Sequence, residues 1–170
     1  MSFTRSLYKE TQNAHREVDS HPFIRKINKC DKAYKLYFDL NKLCINEIQK
    51  CYDINKIDKE LYRDIHNYSD YVDVILKCQD VQKLLENCKN NPIEHAYMFY
   101  LGLLFGGQMF NVKTDEDILF VTFLNKSNLI SKVKCFLDKQ VKENEYNTFI
   151  YNVNNSYKLI ANIFTYFDSL

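Results

Sequence analysis

Tyr100-Leu101-Gly102-Leu103-Leu104-Phe105-Gly106-Gly107-Gln108 decides how this chain is read. The protein has three glycines, and all of them fall in this stretch. Its surroundings read as an apolar helix starting near Pro92. A glycine inside a helix costs about 1 kcal/mol relative to alanine, because it restricts more backbone entropy and covers the backbone less. A chain that spares glycine in its turns yet places three here is using them. A bend fits, and so does the close approach of a flat partner to bare backbone. The partner is either another helix or a ligand. A lone Gly-x-x-x-Gly would mean tight helix packing, and the added Gly107 favours a ligand.

The rest of the chain frames that helix. Its 170 residues, 46% apolar and 15% aromatic, suit one domain over 1–170 with a sizeable core. A net charge of +1 offers no general attraction to nucleic acid or membrane. No apolar run reaches the roughly 20 residues of a membrane span, and no signal-peptide core stands at the start. A soluble protein of a reducing, cytoplasmic compartment is expected. Cys30, Cys44, Cys51, Cys78, Cys88 and Cys135 form no Cys-x-x-Cys pair and are expected mainly as core thiols.

With so few glycines and prolines, helices are predicted almost throughout, in a single all-α domain. Leu7, Thr11, Ala14, His15 and Val18 form a helical stripe over about Thr4–Val18. Pro22 starts a short helix. Asp31 caps a long one through Leu36, Leu40, Cys44 and Ile48. Asp58 opens a segment through Leu61, Ile65 and Tyr68, and Ser69 or Asp70 caps the next, through Val72 and Ile75. Asp115 caps a helix reaching Phe123, Ser127 or Asn128 opens another, and a last one runs from about Tyr146 to Phe167.

His15 is the foremost chemical candidate. An imidazole on an apolar stripe is commonly a satisfied core residue, but it is also the usual protein ligand to haem iron. With the glycine helix it makes a possible clamp, metal ligand on one side and bare backbone on the other. His21 reads as a turn residue, and His66 and His95 as surface groups. No Glu-x-x-His repeat supports a di-iron centre. No phosphate loop or nucleophile elbow is present.

Taken together, these residues resemble the haem oxygenase family. Thr11-Gln12-Asn13-Ala14-His15 with Asp19 and Phe23 looks like its proximal segment, T-x-x-x-H-x-x-x-[ED]-x-x-x-F. Glu60-Leu61-Tyr62-Arg63 with Asp70 is similar to its E-L-x-R…D-L segment. His95-Ala96-Tyr97, followed by Tyr100 through Gln108, resembles the distal signature H-A-Y-x-x-Y-L-G-D-L-S-G-G-Q. Phe120-Val121-Thr122-Phe123 and Asn162-Ile163 also have counterparts, in the same order along nearly the whole chain.

The resemblance implies haem b sandwiched between two helices as cofactor and substrate, with His15 on the iron. It implies that Gly102 and Gly106, with Gly107 beside them, admit the macrocycle and bound dioxygen, and that Tyr97 meets a propionate. The implied reaction uses O2 and electrons from a reductase or ferredoxin to cleave haem to biliverdin, carbon monoxide and ferrous iron. Two departures stand out. Leu103 occupies the place of the family's aspartate, which orders the water that protonates dioxygen, and Phe105 replaces a serine. The family's lysine–arginine pair falls near Val133 and Leu137, leaving Lys132 or Lys134 for the propionates. Its N-terminal lysine falls at Tyr8, beside Lys9. Three functions follow: an oxygenase with an altered distal side, a non-catalytic haem carrier or sensor, or a haem-free helical interaction protein. Cleavage ranks first.

Overall fold

A computed structural model describes residues 2–106 and 110–170. Nine α-helices and three short 3-10 turns make up its regular structure, with no strand among the described residues. The helices are α1 (Phe3–Asp19), α2 (Pro22–Lys26), α3 (Asp31–Cys51), α4 (Val72–Leu76) and α5 (Gln79–Asn90). They continue with α6 (Pro92–Gly106), α7 (Asp115–Val121), α8 (Lys126–Gln140) and α9 (Tyr146–Ser169).

The glycine-bearing α6 is the buried centre. From His95 to Leu101 every residue is buried, so this segment has no solvent face and needs none of the amphipathic alternation of its neighbours. α3, α5, α8 and α9 pack around it, and α1 lies along α9. Tyr100 is fully buried, and its hydroxyl donates to Gln49 Oε1 on α3 at 2.9 Å. Aromatic contacts close the core between the first two helices and the last: Phe3 stacks on Tyr146 at 4.2 Å, and Phe23 meets Phe164 at 5.1 Å.

Helix starts follow local hydrogen bonding, and several differ from expectation. Ser2 caps α1, its Oγ accepting from Arg5 N at 3.3 Å. Thr114, not Asp115, caps α7 by accepting from Asp117 N at 3.1 Å. Asp115, Glu116 and Asp117 then fill the first turn, where the helix dipole favours negative charge. Asn125, rather than Ser127 or Asn128, caps α8.

The helix expected to run from Asp58 toward Tyr68 does not form. Asp58 caps only the 3-10 turn Lys59–Leu61. The side chain of Gln49 then takes both main-chain groups of Arg63, accepting from its N–H at 2.5 Å and donating to its carbonyl at 2.9 Å. Tertiary pairing with α3 replaces the helical bonds of this segment. Ser69 is likewise bound elsewhere: its N–H and hydroxyl both donate to the buried carboxylate of Asp39, and α4 begins only at Val72.

A polar cluster lies inside the joint between α3 and α7. Lys42 Nζ reaches Asp117 Oδ1 at 2.7 Å, with both side chains at most 10% exposed. The Tyr34 hydroxyl donates to Asp117 Oδ2 at 2.7 Å and accepts from Lys113 N at 3.0 Å. Asp117 Oδ1 has no partner in hydrogen-bonding geometry among the described residues, so charge rather than direction holds it to Lys42. Burial pushes the Tyr34 hydroxyl far above its ordinary range and raises the Asp39 carboxyl.

The expectation of core thiols holds only for Cys44 and Cys88. Cys30, Cys51 and Cys135 are exposed and Cys78 is half-buried, because each falls at a helix end or on an outer face.

Candidate functional site

The proximal side is built on α1. Thr11 is buried, and its hydroxyl donates to Leu7 O at 2.7 Å. One turn later His15 sits at the edge of the core, its side chain 44% exposed. Its Nδ1 faces Asp19 Oδ2 at 3.3 Å, an i,i+4 pair that the helical repeat brings together. Its ring meets the edge of Tyr157 on α9 at 5.2 Å between centroids. Asp19 and Tyr157 thereby orient the imidazole, and Nε2 has no hydrogen-bond partner among the described residues, which suits a metal ligand.

The other side is built on α6. Tyr97 is buried, with the Thr11 side chain of α1 close enough to its hydroxyl to offset part of the effect of burial. Burial raises its hydroxyl pKa. Gly102 follows five residues on, about 7.5 Å along the helix axis. Here the buried helix emerges: Gly102 is exposed, Phe105 is 62% exposed and Gly106 is half-buried. A Cβ built on Gly102 would have no neighbouring atom within 4 Å beyond its own helical turn. No described residue has a positive φ, and α6 continues through Gly106. Gly102 therefore serves neither a left-handed turn nor tight contact with another helix, and the helix-packing use of this glycine is ruled out.

The other candidates separate. Leu103 is 5% exposed, its side chain turned into the core beside Leu101 and Leu104. Lys134, on α8, holds its ammonium 5.6 Å from the centre of the Phe105 ring, next to the glycines. Lys132 pairs its ammonium with Asp58 Oδ2 at 2.6 Å, which also lowers the Asp58 pKa. Val133 and Leu137, where the family's basic pair falls, are core residues. Lys9 lies on the exposed face of α1. Gly107 is outside the described residues.

His95 is a further correction, being fully buried instead of a surface group. Its Nδ1 is 2.7 Å from Asn91 O, and its Nε2 is 2.7 Å from Ser156 Oγ. The carbonyl requires Nδ1 to donate, so Nε2 accepts from the serine hydroxyl. Burial lowers its pKa and holds it neutral. A signal was present in Ser156, a small polar residue inside the apolar stripe of Val153, Tyr157 and Ile160. His21 caps α2 through Nδ1, and His66 is exposed and pairs with Asp64 at 2.9 Å.

No family model and no curated protein sequence matches the chain. Among solved structures, it matches a haem oxygenase from Leptospira interrogans with a TM-score of 0.71 at 20% identity. The match covers 98% of this chain and 100% of that one. The fold is similar to that of a haem oxygenase. At this identity the likeness carries the helical architecture and leaves the chemistry to the residues. No described helix is long and apolar enough to cross a membrane.

Proposed function

We propose that the protein binds haem b between α1 and α6, with His15 ligating the iron, and cleaves it to biliverdin, carbon monoxide and ferrous iron. The reaction consumes O2 and electrons from a reductase or ferredoxin. The observation that carries this reading is the empty space over Gly102, in a helix that is buried from His95 to Leu101 and again at Leu103 and Leu104. A folding cost of about 1 kcal/mol is tolerated at a position where no protein atom uses the room.

The residues fit the group. His15 offers a ring nitrogen, with the imidazole backed by Asp19. Gly102 and Gly106 present backbone where a flat macrocycle can approach. Lys134 is the better placed of the two α8 lysines for a propionate, and Tyr97 and Lys9 complete the set carried by the resemblance. When bound, haem supplies both the site for dioxygen and the carbon framework that is cut. The protein's own part is to hold the ring, exclude bulk water and manage protons.

Leu103 favours a second function, a non-catalytic haem carrier or sensor. An apolar side chain packed in the core neither accepts a hydrogen bond nor anchors water, so the family's proton path lacks its carboxylate. Titration with haemin tests the shared premise: a sharp Soret band is expected, lost or shifted in His15→Ala. Reductant under air then divides the two functions. Biliverdin absorption supports turnover, whereas a stable haem spectrum supports the carrier. Under the first function Leu103→Asp raises biliverdin yield, and an unchanged yield removes the proton role assigned to that position. Absence of a Soret band in the wild-type protein would remove haem from both.

A further inference from the structure

A second site lies away from the glycines. Between α5 and α9 lies an open surface cleft of about 360 Å³, lined by Lys83 and Asn87 from one helix and Asn155, Lys158, Leu159 and Asn162 from the other. The spacing explains the assembly: Lys83 and Asn87 are one turn apart on α5, and the α9 residues follow at i, i+3, i+4 and i+7, on one helical face. The lining contains no carboxylate. Neither lysine is paired with an acidic group among the described residues, and the side chains of Asn155 and Asn162 make no hydrogen bond there.

We propose that this cleft binds a small phosphate monoester carrying a hydroxylated, non-aromatic body, of the sugar-phosphate class. Two unpaired ammonium groups match a phosphate monoester, which carries close to two negative charges at neutral pH. Each carboxamide both donates and accepts, which suits hydroxyl groups. No aromatic ring lines the cleft, so a nucleobase has nothing to stack on, and Leu159 supplies the one apolar contact. The volume lies at the small end of the range for ligand sites, about 300–1,000 Å³.

The cleft is also wired to the central helix. Asn87 Nδ2 donates to Ser156 Oγ at 3.3 Å, and that hydroxyl donates to His95 Nε2 at 2.7 Å. A ligand that draws the Asn87 carboxamide into the cleft changes the hydrogen bonding of a buried imidazole at the start of α6. His95 is therefore the built-in reporter of occupancy.

The test is an NMR titration of the full chain with ribose 5-phosphate at physiological ionic strength, with ribose and inorganic phosphate alongside. Saturable shifts are expected for the side-chain amides of Asn87, Asn155 and Asn162, together with a shift of the His95 imidazole nitrogens. Ribose 5-phosphate should bind at least tenfold tighter than either fragment. Lys83→Gln/Lys158→Gln, altered only on the surface, should fold normally and bind at least tenfold more weakly. No saturable shift up to about 10 mM, the limit of useful affinity for a metabolite site, overturns the proposal. Equal binding by the double variant, or by ribose alone, overturns it as well. Binding that leaves the His95 nitrogens unmoved overturns the link to α6.

Discussion

Gly102 and His95 show how far single residues can be read. The glycine stood out in the sequence because its cost had no local justification, and the structure supplies the reason by showing vacant space beyond its Cα. Gly102→Ala is therefore expected to stabilise the haem-free protein by about 0.5–1 kcal/mol in urea unfolding. The same methyl enters the space assigned to haem, so haemin affinity should fall at least tenfold. A variant that is both less stable and equally avid would contradict both halves. His95 was misread as a surface group, since the one clue to its burial, Ser156, lies far along the chain. Its folded-state pKa is lowered, so the unfolded chain binds this proton more readily. Its stabilising share is present above the unfolded value of about 6.5 and is lost as pH falls toward the folded value. Within that window stability should drop by up to about 1.4 kcal/mol per pH unit from this group. Urea unfolding between pH 7 and pH 5 should show a shallower slope in His95→Gln.

At the scale of elements, periodicity sufficed wherever a helix could satisfy itself locally. α1, α2, α3, α6 and α9 begin and end close to where their apolar stripes and prolines place them. Between Asp58 and Val72 the failures share one cause, a side chain from a distant element binding main-chain groups of the segment. Gln49 does this at Arg63, and Asp39 does it at Ser69. Arg63 in turn ends α7. One of its terminal nitrogens donates to the carbonyls of Leu119 at 2.9 Å and Thr122 at 2.8 Å, and its guanidinium stacks 4.1 Å from the centre of the Phe123 ring. These are the carbonyls that a helix C-terminus leaves without partners, and a cation there also meets the negative end of the dipole. Arg63→Met keeps much of the stem and removes the donors. It should cost about 2–3 kcal/mol, the scale for hydrogen bonds from a charged group. Amide exchange should accelerate in α7 first, while uniform acceleration across all helices would show that Arg63 supports the whole fold.

Across the whole molecule, the helices close around α6 over most of its length and leave it open at one place. The likeness to the Leptospira interrogans enzyme accounts for the closure, since it extends over nearly every residue of both chains. The opening follows from this chain's own glycine, exposed on α6 with no protein atom over it. Haem bound as proposed adds stability by mass action, because only the folded state binds it. With haemin free at one hundred times its dissociation constant, the gain is about 2.7 kcal/mol. For a domain of this size that corresponds to a rise in Tm of about 5–10 °C. Calorimetry of the wild-type protein should show this rise growing with haemin concentration. His15→Ala, altered at a partly exposed position, should keep a haem-free Tm close to wild type yet lose most of the rise. If both proteins gained equally, haemin would be binding elsewhere or without the imidazole. If neither gained, haem would have no place over Gly102, and the haem-free helical protein would be the function left standing.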